Sequence, residues 1–116
     1  MAPSAEAPAR LAAVDHGARA ERLLALTRDM LRLAEAGDWV LLAERETERQ
    51  SLSAELFATP VPRESAPVVA ECIRRVLDLD QDLLSLVQSH RDEAAQAVRD
   101  TRQGRAAADA YRRFSR

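Results

Sequence analysis

The chain has few of the residues that build β-sheets and tight turns. Its 116 residues include three glycines, one tryptophan, one tyrosine and two phenylalanines. Ala, Leu, Arg and Glu dominate instead, and these residues have high helix propensity. We therefore predict an all-α fold, in a chain long enough for one modest core without metal or disulfide support.

No charge of one sign prevails over the whole chain. The formal net charge is −2, and all 17 cations are arginines. Residues 91–116 carry seven arginines against four acids, which is a mild local excess of positive charge. A nucleic-acid-binding domain is usually much more basic, so we expect no direct contact with nucleic acid.

The chain has one cysteine, and this excludes an intramolecular disulfide. Cys72 lies on an apolar helical stripe, so we expect a buried small side chain in a reducing compartment. No stretch approaches the ~18 uncharged apolar residues that a membrane span requires, and the N-terminus lacks a secretory-signal pattern. These features predict a cytoplasmic protein that is not inserted in a membrane.

The chain also lacks the motifs of most enzymes and metalloproteins. Phosphate loops, dinucleotide fingerprints and paired-cysteine zinc patterns are absent from the sequence, which has two histidines. Asp78, Asp80 and Asp82 superficially match a calcium loop, but no glycine follows at the sixth position and Ser89 replaces the bidentate glutamate. We predict no enzyme activity and no cofactor.

Helix signals divide the first half of the chain. Residues 1–14 are rich in Ala and Pro and are predicted to be a disordered N-terminal arm. A first helix is predicted from Asp15 to Ala36, ending at Gly37. Asp38 is a suitable N-cap for a second helix to about Phe57, and the short connection predicts an antiparallel pair.

The second half is predicted to form one long and one short helix. Pro60 and Pro62 interrupt the helical pattern, and Ser65 can cap a third helix that ends before Gly104. Residues 15–103 would then form a three-helix antiparallel bundle. Residues 105–116 would follow as a short C-terminal regulatory helix with one apolar face, formed by Ala107, Ala110, Tyr111 and Phe114.

The third helix carries a wider apolar stripe than one helix needs in order to pack. At about 100° per residue, its apolar side chains from residue 69 to residue 98 cover roughly 180°, whereas about 100° suffices for a surface helix. We therefore expect part of the stripe to bind a partner. The predicted partner-binding residues are Leu79, Leu83, Leu86, Val87 and His90.

Three charged residues lie near the packing surfaces, and the two arginines among them have two interpretations. Arg45 and Arg49 follow the apolar line of the second helix, and their stems could cover the core while their charges meet Glu46 and Glu48. They could instead bind an acidic group of a partner. Asp80 lies near the stripe of the third helix and needs a partner such as Arg45, Arg49 or Arg91.

An ordered set of short motifs resembles the FliT family of flagellar type III export chaperones. The similarity runs from about Ala20 to Tyr111. It includes the Gly37-Asp38 turn, with Trp39 opening the next helix and Leu42 three residues later. The other matching motifs are Met30-Leu31-Arg32-Leu33-Ala34, Ile73-Arg74-Arg75-Val76-Leu77-Asp78, Arg91-Asp92-Glu93 and Ala110-Tyr111.

The resemblance implies a cytoplasmic helical chaperone. Such a protein binds the flagellar filament-cap protein, prevents its premature assembly and delivers it to the export gate and export ATPase complex. The resemblance also implies a C-terminal helix that folds back over the binding surface, through Ala107, Tyr111 and Phe114 here. Some members of the family additionally inhibit the master transcriptional activator of flagellar genes.

A rival interpretation from a different class is a structural protein without chaperone activity. In that case the broad stripe of the third helix would pair with a second copy, or serve an adaptor, and form a helical homodimer.

Overall fold

The computed structural model describes residues 15–114 and contains three helices. The first helix, α1, spans His16–Ala36, α2 spans Trp39–Leu56 and α3 spans Ala66–Phe114. The predicted all-α class is confirmed for the described part of the chain. The predicted N-terminal arm, residues 1–14, lies outside the described residues.

Side-chain and backbone caps set the boundaries of α1. Asp15 accepts a hydrogen bond from the backbone N–H of Ala18 at 3.0 Å. At the other end Gly37 adopts φ 76°, and the N–H of Asp38 donates to the carbonyl of Leu33 at 2.9 Å. This left-handed glycine cap ends α1 where the sequence predicts, because a residue with a Cβ is strained at that φ.

The second helix begins directly after that cap. The Asp38 carboxylate accepts from the N–H of Leu41 at 3.2 Å. Across the two helices, Arg19 pairs with Glu55 at 3.2 Å. The start of α1 therefore lies beside the end of α2, and the two helices run in opposite directions.

A nine-residue linker, residues 57–65, follows α2 and is held against α1. His16 is buried, and its Nε2 lies 3.1 Å from the hydroxyl and 3.3 Å from the carbonyl oxygen of Thr59. No described residue satisfies its Nδ1, which is also buried. The contact ties the proline-containing linker to the first turn of α1.

The third helix is longer than predicted. It continues without interruption through Gly104 to Phe114, so the predicted helix end before Gly104 and the separate short helix after it are wrong. Gly104 does not adopt a positive φ, and it is followed by Arg105 and Ala106, which favour helix. One interior glycine costs about 1 kcal/mol relative to alanine, which is too little to end a helix among good helix formers.

The chain forms two compact units, and the boundary between them lies within α3. The first comprises the described residues up to Leu83 and contains α1, α2, the linker and the beginning of α3. The second comprises the rest of α3, from Leu84. None of the described helices contains a stretch apolar enough to cross a membrane.

The core of the first unit draws on all three helices. Met30 and Leu56 are its most deeply buried large side chains, and the buried Thr27 donates its hydroxyl to the carbonyl of Leu23 at 2.8 Å. The other buried apolar residues are Ala20, Leu23, Leu24, Leu26, Ala34, Leu42, Leu52, Val69, Cys72, Val76 and Leu83.

Candidate partner-binding groove

An open groove of about 540 Å³ lies in the first unit, where α1, α2 and α3 contribute side chains to one surface. The α1 contribution is Leu23. The remaining lining residues are Glu46, Arg49, Gln50, Ser53, Ala54 and Phe57 from α2 and its end, and Ile73, Val76, Leu77 and Asp80 from α3.

Two large apolar side chains of this groove are open to solvent. Phe57 is 56% exposed and Leu77 is 59% exposed. Phe57 caps the end of α2, where its N–H donates to the carbonyl of Ser53 at 3.2 Å. Leu77 lies next to the buried Val76, so it projects away from the core line of α3. Both side chains retain apolar area that a partner could remove from water.

A charged network lies beside these apolar side chains. Arg49 donates to Asp80 at 2.5 Å and pairs with Glu46 at 2.8 Å, and its side chain is only 17% exposed. Two carboxylates therefore surround one guanidinium, and the three groups together carry a net charge of −1. The groove combines apolar area with a partly desolvated acidic site.

The structure gives each of the three charged residues an ion-pair partner within the chain. Asp80 has the partner that its position requires, and that partner is Arg49 rather than Arg45 or Arg91. Arg45 instead pairs with Glu48 at 3.5 Å on the surface of α2. Both arginines therefore meet acids of this chain, as the first interpretation expects. That they also bind an acidic group of a partner stays a prediction.

A second groove of about 560 Å³ lies between α1 and the first turns of α3. Charged side chains surround it, and Val68, at 43% exposure, is the one exposed large hydrophobic side chain in its lining. Its lining residues are Glu21, Leu24, Arg28, Pro67, Val68, Glu71, Cys72 and Arg75. With less exposed apolar area, it is the weaker candidate for an apolar partner.

Residues 18–113 match the model of the family described as flagellar protein FliT. The chain belongs to the flagellar protein FliT family. The matched range begins in the first turn of α1 and reaches the last turn of α3, so all three helices belong to the family's pattern. The family assignment made from the short motifs is confirmed.

In this FliT-family chain the five predicted partner-binding residues fall into both units. Leu79 is half-buried and Leu83 is buried in the first unit, while Leu86, Val87 and His90 are half-buried in the second. None of the five lines the groove described above. Their role in binding a partner stays a prediction.

The predicted regulatory residues of the FliT-family chain belong to the last turns of α3. Tyr111 is 74% exposed and Phe114 is 86% exposed, and Ala107 is exposed as well. They lie on one continuous helix rather than on a separate one. That they restrain partner binding stays a prediction.

Phe57 and Leu77 were not among the residues predicted to bind a partner. The apolar stripe predicted for the third helix leads to Val76 and Leu83, which the structure buries. Leu77 lies on the shoulder of that stripe, and an apolar residue away from the core line is the signal that identifies it.

Among residues 15–114 no cluster of His, Cys, Asp or Glu side chains is suited to a metal.

Proposed function

We propose that this member of the flagellar protein FliT family is a cytoplasmic export chaperone that binds the filament-cap protein. The observation that carries the proposal is the groove of the first unit, with Phe57 and Leu77 exposed beside the Arg49–Asp80 pair. The family match supports a role in the flagellum.

The groove suits an amphipathic helix of a client. A helix can lay apolar side chains into a groove between helices, which is a recurring mode of peptide recognition. Full burial of a Leu or Phe side chain contributes about 1.5–3 kcal/mol, so two half-exposed side chains offer a moderate driving force. Moderate affinity suits a chaperone that has to release its client for export.

Binding of the cap protein would also keep it from assembling too early. The apolar segment that is sheltered in the groove is then unavailable for contacts between cap subunits. The chaperone would bring the bound client to the export gate and the export ATPase complex. These destinations are part of the proposal and rest on the resemblance to the export chaperones.

The proposal is tested by measuring the affinity of the full chain for the filament-cap protein by calorimetry. We expect Phe57→Ser and Leu77→Ser each to weaken binding about tenfold, which corresponds to about 1.4 kcal/mol. Val40→Ser is the matched control, because Val40 is 76% exposed and does not line the groove. The control variant should bind like the unchanged chain.

A further variant tests whether the cap protein binds in the groove or at the partner-binding residues predicted on the apolar stripe of α3. Leu86→Ser/Val87→Ser changes two of the residues predicted there and none that line the groove. If this variant alone loses binding of the cap protein, the cap protein remains the client, but the groove is not the surface that binds it. No binding of the cap protein by the unchanged chain would overturn the proposed function.

A further inference from the structure

The end of α3 is a strongly amphipathic helix. At about 100° per residue, five arginines between residues 99 and 113 project within an arc of about 140°. They are Arg99, Arg102, Arg105, Arg112 and Arg113. The opposite arc, of about 100°, holds Ala107, Ala110, Tyr111 and Phe114.

Most of the positive charge on this arc of arginines, the basic arc, is not neutralised by acids. Residues 99–114 contain five arginines and two aspartates, which leaves a net charge of +3. Asp109 is the one acid within the arc, and it pairs with Arg112 at 2.5 Å. Among residues 15–114, no acid forms an ion pair with Arg102, Arg105 or Arg113.

The apolar arc is open to solvent as well. Every residue from Arg91 to Phe114 is exposed, including both aromatic side chains at the end of the helix. The only acid on that side, Asp100, accepts a hydrogen bond from Gln96 at 2.8 Å and precedes the apolar arc by about two turns. Gln103 is the last polar side chain on that side, and from residue 104 to Phe114 the apolar arc is not interrupted by a charged side chain.

We propose that residues 99–114 bind the surface of a membrane that contains anionic lipids. A bilayer offers phosphate groups at its surface and hydrocarbon a few ångströms below it, so a helix lying in the interface uses both arcs at once. Arginines attract the anionic headgroups, while Tyr111 and Phe114 insert at the depth that aromatic side chains prefer. The helix lies on the membrane and does not cross it.

Two other classes of partner fit the pattern less well. A nucleic acid would neutralise the arginines and leave the two aromatic side chains in water, because phosphate contacts use only the basic arc. An acidic protein would need an apolar groove matched to the opposite arc. The membrane surface requires no such match, since it presents both chemistries along the whole helix.

The inference is tested by flotation of the full chain with lipid vesicles. Vesicles of phosphatidylcholine mixed with phosphatidylglycerol should carry the chain, whereas vesicles of phosphatidylcholine alone should not. Raising the salt concentration should weaken the binding, because the headgroup attraction is screened. Equal flotation with the two kinds of vesicle would contradict the charge-based part of the proposal.

Two matched variants of equal net charge test the basic arc. Arg102→Gln/Arg105→Gln should weaken partitioning about 30-fold, from the attraction expected for two arginines near an anionic leaflet. Arg74→Gln/Arg75→Gln removes the same charge from two exposed arginines outside the segment and should leave partitioning within about twofold. Similar losses in both variants would show a net-charge effect and overturn the assignment to this segment.

Variants of the aromatic residues distinguish binding to a membrane from binding to other polyanions. Tyr111→Ser/Phe114→Ser should reduce flotation strongly, while Val40→Ser, at an equally exposed apolar position, should not change it. If the aromatic variant floats as well as the unchanged chain, the aromatic side chains do not insert, and the binding is a general attraction between arginines and anions. If the chain binds neither kind of vesicle but binds a DNA duplex or polyglutamate, the proposal is overturned in favour of that partner.

Discussion

At the scale of single residues, Arg49 shows how a charge inside a packing surface is accommodated. Its side chain is largely buried beside two carboxylates, one on its own helix and one on α3. The pair with Asp80 joins α2 to α3 through a contact that the surrounding protein partly shields from water. Removing one partner of such a pair costs more than on the open surface, because the remaining charge stays partly desolvated, and less than in a fully buried pair.

Removal of the Asp80 charge should therefore destabilise the first unit. We expect Asp80→Asn to lower the free energy of unfolding by about 1–2 kcal/mol, because Arg49 keeps Glu46 as a second partner. Asp78→Asn, an exposed acid on the same helix, serves as the control and should change stability by less than about 0.5 kcal/mol. Urea unfolding monitored by circular dichroism measures both, and equal stabilities would show that the network contributes nothing.

Cys72 provides a second test at this scale. Burial raises the pKa of its thiol above the ordinary value of 9.0, and the nearby carboxylate of Glu21 adds to the rise. The native state then holds the thiol proton at a pH where the unfolded chain releases it. The stability of the fold should accordingly fall as the pH rises above about 9.

The same burial predicts slow chemical modification. At pH 8 a thiol reagent should label Cys72 far more slowly in the folded chain than in urea, because the thiolate has to form in an opened state. The variant Cys72→Ala/Ser89→Cys places the thiol at an exposed position of α3 and should react promptly. Prompt reaction of Cys72 in the folded chain would contradict its burial.

At the scale of helices, local capping chemistry accounts for most boundaries. Asp15, Gly37 and Asp38 place the ends of α1 and the start of α2 where the sequence predicts them, since each makes its bond within a few residues. The groove was not predictable in the same way. The helical pattern places Val76 on the core line and Leu77 on its shoulder, but only the packing of three helices decides that Leu77 stays exposed in one groove with Phe57.

Gly104 marks the limit of local signals. A glycine after a long helical stretch is typical of a helix end, but it ends a helix only where the chain adopts a positive φ, as at Gly37. At Gly104 the helix continues and a Cβ would meet open space. The same residue type therefore ends one helix and is tolerated within another.

Substitution of the two glycines by alanine should have opposite effects. Gly104→Ala should stabilise the end of α3 by about 1 kcal/mol and slow amide exchange there about fivefold. Gly37→Ala should destabilise the chain by about 1 kcal/mol or more, since alanine is strained at φ 76°. Slower exchange near residue 37 in Gly37→Ala, or faster exchange near residue 104 in Gly104→Ala, would contradict the two backbone conformations.

At the scale of the whole molecule, the two units differ in how much of their surface is buried. The first contains the buried core, whereas every residue of the second from Arg91 to Phe114 is exposed. An exposed helix has to rely on its own hydrogen bonds, which stabilise it only marginally in water. The part of the chain proposed to bind a membrane is therefore also the part with the least support from packing.

This difference predicts a gradient of local stability. Hydrogen exchange measured by mass spectrometry should protect the amides of residues 20–34 in α1 much more than those of residues 100–114 in α3. The exposed segment should gain protection when anionic vesicles are added, because an interfacial environment strengthens helix formation. Uniform protection along the described chain would contradict the division into a packed and an exposed unit.

The proposed function places a segment of the filament-cap protein in the groove of the first unit. Its most direct test is photo-crosslinking from a benzophenone side chain placed at Leu77, and at Val40 as the control, in the presence of the cap protein. We expect a crosslinked adduct from position 77 and little or none from position 40. Equal adducts from both positions, or none from position 77 in a chain that still binds the cap protein, would contradict it.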